Sequence, residues 1–230
     1  MSKVIRRLAA CAALTGAFLL PQAQAVVGPP PTLIDFEDPA LTGLYFGGDS
    51  FEQAGFRMTV DYDAGLVDTA LALGSAAPTG NATQFYSQLN EGGLIVERSN
   101  GGLFSLNSFD AAFIPLDPPA SGTTVIIAYG VRANNSAFGV AWLFDRSFAS
   151  YNDPADFADF SEVKFVEFFS CTYDSGGICA TPIQNNGQFA IDNISVTAVV
   201  PEPGTTVMLS LGLLGLAALA RRRAVQPAAR

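Results

Sequence analysis

Histidine is absent from the whole chain of 230 residues. That removes Ser-His-Asp and Cys-His nucleophile systems, histidine general bases and most zinc or non-haem iron sites. Basic side chains are nearly as scarce in the middle of the sequence. Between Val26 and Val200 only Arg57, Arg98, Arg132, Arg146 and Lys164 oppose twenty carboxylates, so this stretch carries a net charge of −15 against −9 for the full chain. A surface this acidic repels phosphate backbones and anionic lipid headgroups, which excludes nucleic acid as a partner. There is one tryptophan, and there are three cysteines. No long stretch of the middle keeps an apolar period of 3.6 residues, so a helical bundle is excluded as well.

What is present begins with two unusual ends. Residues 1–25 have the three parts of a secretory signal peptide. Lys3, Arg6 and Arg7 form a positive start, Leu8 to Leu20 an apolar helical segment, and Ala23-Gln24-Ala25 a small-x-small site for signal peptidase, with cleavage expected after Ala25. The apolar segment is too short for a permanent span. Leu8-Ala9-Ala10-Cys11 has the look of a lipoprotein box, but almost no apolar stretch precedes it. Arg6-Arg7 could mark twin-arginine export, but the residues around it fit that pattern poorly.

At the other end, Val200-Pro201-Glu202-Pro203-Gly204 precedes an apolar run from Val207 to Ala220 and then Arg221-Arg222-Arg223. The prolines cannot continue a helix or a central strand, so they hold an extended, accessible stub. The apolar run with its flanks approaches the ~17-residue lower limit of a transmembrane helix. Gly212 and Gly215 lie on nearly one face of that helix, where small residues permit close contact. The arginine cluster stays cytoplasmic and places the main domain on the outer side of the inner membrane. Pro201, Glu202 and Pro203, the apolar helix and the three arginines together resemble the PEP-CTERM sorting signal, also known as the C-terminal domain of some ice-binding proteins. The resemblance implies recognition by an exosortase in a Gram-negative bacterium, and a setting among exopolysaccharide and biofilm genes. The alternative is an ordinary C-terminal anchor, which leaves Pro-Glu-Pro without a reason. Ice binding itself finds no support, because no regular Thr-x-Thr ranks or short repeats occur.

The domain between, residues 26–199, reads as all-β. Gly47-Gly48, Gly92-Gly93, Asn100-Gly101-Gly102, Pro118-Pro119, Asn134-Asn135 and Asn185-Asn186-Gly187 interrupt short runs of β-branched and aromatic residues. Strands are expected near 33–37, 56–60, 93–98, 103–113, 123–132, 138–144, 162–170 and 188–199, with one helical turn around 154–160. This pattern argues an antiparallel β-sandwich, jelly-roll-like, flanked by the signal helix and by the C-terminal transmembrane helix within the sorting tail (residues 200–230). In the last strand Phe189 and Ile191 alternate inward, but Ile194 and Val196 are one residue out of phase. A β-bulge at Asp192-Asn193 would return both pairs to the core.

Ile34-Asp35-Phe36-Glu37 and Phe189-Ala190-Ile191-Asp192-Asn193-Ile194-Ser195-Val196 resemble the first and last strands of secreted jelly rolls related to carbohydrate-binding modules. The resemblance implies that these strands pair and that a structural calcium sits beside them, with Glu37 and Asp192 as its hard oxygen ligands. On the residues alone, Asp35, Glu37 and Asp192 read more readily as solvated strand-edge or turn acids than as metal ligands. Cys171 and Cys179 remain after signal cleavage and flank a Gly-rich loop in an exported chain, so a disulfide between them is expected; free thiols or a metal pair are the alternatives.

For chemistry, Glu91, Glu97, Glu162 and Glu167 could be nominated as a glycosidase pair, but no spacing singles out two of them. Glu97 and Glu167 alternate with apolar residues, the pattern of a solvent-facing side. Trp142 lies in an apolar run and reads as core, whereas Tyr86, Tyr129, Tyr151 and Tyr173 are candidate surface platforms for a sugar. The expected function is a non-catalytic, exosortase-sorted surface or matrix protein that grips polysaccharide. The alternatives are a purely structural or adhesive matrix component and a carboxylate-pair glycan hydrolase.

Overall fold

A computed structural model describes residues 29–90, 92–114, 123–173, 188–199 and 212–214. Among the described residues the domain has thirteen strands and two short α-helices: β1 (Thr32–Ile34), β2 (Gly43–Phe46), β3 (Ser50–Gln53), β4 (Phe56–Asp61), β5 (Ala64–Thr69), α1 (Ala70–Leu73), β6 (Gln84–Leu89), β7 (Gly93–Arg98), β8 (Phe104–Phe113), β9 (Thr123–Arg132), β10 (Ala137–Leu143), β11 (Ala149–Tyr151), α2 (Pro154–Phe157), β12 (Val163–Tyr173) and β13 (Phe189–Ala198). Every strand pairing between them is antiparallel.

The ladder folds into two layers where β8 meets β12 at a single pair, Phe104 opposite Val163. One layer runs β2-β5-β6-β13-β8, with β1 beside β13 and β11 beside β8. The other runs β10-β9-β12-β7-β4-β3. Between them lies one apolar core. Met58, Val60, Leu94, Val96, Ile126, Ala128, Val166 and Phe168 come from the second layer. Ile34, Tyr86, Phe104, Leu106, Phe109, Phe189, Ile191, Ile194 and Val196 come from the first. Phe109 is a hub of this core, with its ring 5.1 Å from those of Tyr151 and Phe168 and 5.2 Å from that of Trp142. Each such pair adds about 0.5–1.5 kcal/mol beyond area burial.

The all-β sandwich expected from the sequence is therefore the fold, and β1 and β13, the first and last strands, do pair, Ile34 standing opposite Ile194. The bulge is also present. Asp192 pairs with Asp110 and Ser195 with Ser108, so three steps on β13 match two on β8. Asn193 takes a left-handed φ of 50° there, and Ile191 and Ile194 both reach the core. The helical turn is α2, with Asp153 as its N-cap accepting from Ala155 N and Pro154 in its first turn.

Strands β2, β3, β5, β6 and β11 were not expected, and β6 shows why. Phe85, Tyr86, Ser87 and Gln88 are all buried. Tyr86 faces the main core, while Phe85 joins Ile114 and Ala190 in a second small core under α1 and Phe148. A strand covered on both faces shows no alternation, and its polar residues disguise it further. Gln88 is accommodated because its Nε2 donates to the carbonyls of Ala64 and Leu89, and its Oε1 accepts from Tyr86 Oη.

The signal segment with Ala23 and Ala25, the sorting residues Pro201, Glu202, Pro203, Arg221, Arg222 and Arg223, and Cys179 lie outside the described residues. Cys171 is buried at the end of β12. Of the tail, residues 212–214 are helical. No helix among the described residues is long and apolar enough to cross a membrane.

Candidate functional site

The outer face of the second layer carries a cleft of about 400 Å³ lined by Asp61, Tyr62, Gly92, Gly93, Tyr129, Glu167 and Phe169. Its origin is a missing side chain. Gly93 on β7 stands between Phe169 on β12 and Asp61 on β4 in one cross-strand row. With hydrogen in place of a side chain, the row has a gap with an aromatic ring on one bank and a carboxyl on the other. In the adjacent row Tyr129, Glu167 and Ile95 stand side by side. Gly139 on β10 stands opposite Tyr129 at the end of that row.

Glycine is required at the closed end as well. A Cβ on Gly92 would collide with the carbonyl of Asp61 and the Gln88 side chain. The turn from β4 to β5 supplies the remaining wall. Tyr62 and Asp63 both adopt left-handed φ, 58° and 47°. This conformation is costly for a bulky residue, and it leaves Tyr62 73% exposed at the rim.

Asp61 and Glu167 hydrogen-bond to each other across the Gly93 gap. Burial pushes Glu167 up to about 7, and the charge of Asp61 and the hydrogen bond to it add to the shift. Glu167 is thus partly protonated near neutrality. Glu167 lies on the outer face, as strand alternation implies, but half-buried in the cleft rather than freely solvated. Glu97, one row away, does face solvent, paired with Arg57 at 3.5 Å.

The other nominated residues are dispersed. Tyr86 is fully buried, a correction to its reading as a surface platform: its hydroxyl is bonded to Gln88 and its ring contacts Phe36, Phe51 and Phe189. Tyr151 is stacked on Phe109, while Tyr129 lines the cleft. Trp142 is core, packed on Phe157 and donating from Nε1 to Asp156 at 2.8 Å. Glu162 sits in a turn with φ 55°, and Glu91 lies outside the described residues. Tyr62 went unnoticed in the sequence; its signal was an aromatic residue inside the acidic turn Asp61-Tyr62-Asp63 that follows an alternating strand.

The bulge brings Glu37 and Asp192 within electrostatic reach. Asp192 is buried, with Oδ2 accepting from Asn81 Nδ2 at 2.6 Å and Oδ1 from Asn193 N at 2.7 Å. Its pKa is raised to about 7 by burial against those two hydrogen bonds, with Glu37 and Asp110 adding to the rise. Asp192, Glu37 and the side-chain carbonyl of Asn81 are hard oxygen donors, the class that suits calcium. No group of three or more His, Cys, Asp or Glu in metal-holding arrangement occurs among the described residues, so a cation here would draw on backbone and amide oxygens for most of its shell.

The fold and the cleft thus define an acidic, antiparallel β-sandwich with an aromatic-walled groove on one outer face. Its C-terminal residues 199–224 match the PEP-CTERM protein-sorting motif, so the chain carries that motif. No curated protein sequence matches the chain significantly. Among solved structures, it is similar to the xylan-binding domain CBM22-2 of Paenibacillus barcinonensis Xyn10C, with 13% identity and a TM-score of 0.36 over 73% of this chain and 99% of that one. The C-terminal family 22 carbohydrate-binding module of Clostridium thermocellum Xyn10B is 12% identical, with a TM-score of 0.34 over 74% of this chain and 95% of that one. The CBM22-1-CBM22-2 tandem of the Paenibacillus protein is 9% identical, with a TM-score of 0.35; the match takes in 77% of this chain but 48%, about half, of the tandem.

The raised pKa of Glu167 has a measurable consequence. A carbon-13 NMR titration of the Glu167 carboxyl should show a midpoint near 7, and Asp61→Asn should lower it. A carboxyl whose pKa is raised in the fold is disfavoured as its anion. The cleft's contribution to stability is therefore unpenalised below about 4.5 and worsens as pH rises toward 7. Glu167→Gln should flatten that part of the pH–stability curve. An ordinary glutamate midpoint in wild type would refute the pairing.

Proposed function

We propose that this is an exported, non-catalytic glycan-binding protein that is delivered to the cell surface or extracellular matrix through its C-terminal sorting tail. The division of the chain into a signal peptide (1–25), a sandwich (26–199) and a sorting tail (200–230) belongs to this reading. So do cleavage by signal peptidase after Ala25, transient anchoring in the inner membrane of a Gram-negative bacterium, and processing by an exosortase. The observation that carries the binding function is the open gap at Gly93, flanked by Phe169, Tyr129 and the exposed Tyr62, with carboxyl acceptors at its floor. Sugar rings present apolar C–H faces and hydroxyl edges, which such a combination of aromatic walls and oxygen acceptors accommodates.

The same carboxyls argue against hydrolysis. Glycosidase pairs stand about 5–5.5 Å apart for retention or about 6.5–9.5 Å for inversion, leaving room for the anomeric carbon or a water. Asp61 and Glu167 share the single gap at Gly93 and interact directly, closer together than either of these separations. A purely structural role would leave the aromatic cleft without a purpose.

Tyr62→Ala and Tyr129→Ala, each assayed against a glycan array and then by calorimetry on the best glycan, should each lower affinity by about tenfold. Failure of the wild type to retain any glycan would defeat the binding function. For the tail, Glu202→Ala or deletion of Arg221, Arg222 and Arg223 should leave unprocessed protein in the membrane fraction; processing equal to wild type in both would remove the sorting role. For the bulge, we propose a structural calcium held by Glu37 and Asp192. Calcium should then raise the melting temperature over that in chelator, and Asp192→Asn should abolish the difference. Identical melting curves with and without calcium would eliminate the ion.

A further inference from the structure

The cleft offers acceptors and no basic donor. Around the Asp61–Glu167 pair, β9 presents Tyr129, β7 presents Ile95 with Glu97 one row away, and the β4–β5 turn presents Tyr62 and Asp63. The base nearest along this face is Arg57, four residues from Asp61 on β4 and so about 13 Å along the strand. Its guanidinium is already engaged with Glu52 at 3.3 Å and Glu97 at 3.5 Å. Two carboxyls meet in a groove with aromatic walls, in a domain of net charge −15, and no cation among the described residues answers them. A neutral glycan would use the walls and leave that charge unanswered, and an acidic glycan would be repelled by it.

Taking the cleft as a glycan site, we propose that its ligand is a glycan bearing free amino groups, a de-N-acetylated amino-sugar polymer whose ammonium sits between Asp61 and Glu167. The ammonium donates N–H bonds to both carboxylates, and charge-assisted bonds of this kind are the stronger class. The faces of Tyr62, Tyr129 and Phe169 attract the same cation and cover the sugar ring. The proton carried by Glu167 leaves to solvent as the ammonium enters, so charge balances and up to one proton appears in the buffer. Beyond the cleft, the acidic surface draws a polycation over a range of about 8 Å at physiological salt. N-acetylation removes the positive charge and makes the nitrogen an amide, so the acetylated polymer forfeits the central contact.

The test is isothermal titration of the full-length chain in detergent micelles with three probes of equal length: glucosamine, N-acetylglucosamine and xylose oligomers. The glucosamine oligomer should bind at least about tenfold tighter than either other probe, weaken as salt is raised, and release a proton, read from the dependence of the heat on buffer ionisation. Glu167→Gln lies on the outer face and should fold, as circular dichroism would verify; it should bring the three affinities to within about threefold of one another. Equal binding of the acetylated and free-amine oligomers overturns the amino-sugar assignment while leaving glycan binding intact. A glucosamine preference unchanged in Glu167→Gln also overturns it, because the preference would then come from the general acidity of the surface. No binding of any probe by the wild type overturns both readings.

Discussion

Strand β13 must bury apolar side chains along ten residues while meeting β8 on one edge and, in turn, β6 and β1 on the other. A regular strand with its sequence could not do this. Phe189 and Ile191 set one phase, and Ile194 and Val196 the opposite one, so uninterrupted alternation would send one pair into water. The extra residue at Asp192-Asn193 resolves the conflict and divides the outer edge of β13 into two docking segments. The first residues of the domain can then pair with the last, opposite the second segment, and the sandwich closes. The same bulge draws Asp192 under cover beside Asn81 and Glu37. Its burial is a consequence of the chain's need to change phase.

The cleft follows a similar logic on the opposite layer. Its position is set by where a row of side chains lacks a member. Register aligns Phe169, Gly93 and Asp61, and the absence of a side chain at Gly93 lets Glu167 lean across toward Asp61. Gly92 cannot carry a side chain because the backbone of the β4–β5 turn passes too close. That turn is held in left-handed geometry and aims Tyr62 outward. Two glycines in sequence and two strained residues thirty positions earlier therefore make one wall of one groove.

The core gains its rigidity from aromatic contacts that cross between layers. Phe109 on β8 touches Trp142 on β10, Phe168 on β12 and Phe157 on α2, so the first layer, the second layer and the helical turn share one side chain. A layer tied down in this way holds the strand rows that frame the Gly93 gap in register.

The amino-acid sequence alone determined the strand-rich class, the phase change in the last strand, the acidic charge of the middle and the sorting motif at the end. These properties are local, resting on alternation over a few residues, turn chemistry, composition and contiguous order. Tertiary structure decided the rest. Tyr86 faces the main core and Phe85 the second small core, so β6 is covered on both faces, and nothing in the polar text of Gln84 to Leu89 announces the second covering. Asp61 and Glu167 are more than a hundred residues apart in the chain and meet because the register of β4, β7 and β12 puts them on either side of a glycine. Proximity between distant residues is a property of strand register, and register is set by the packing of the whole sandwich.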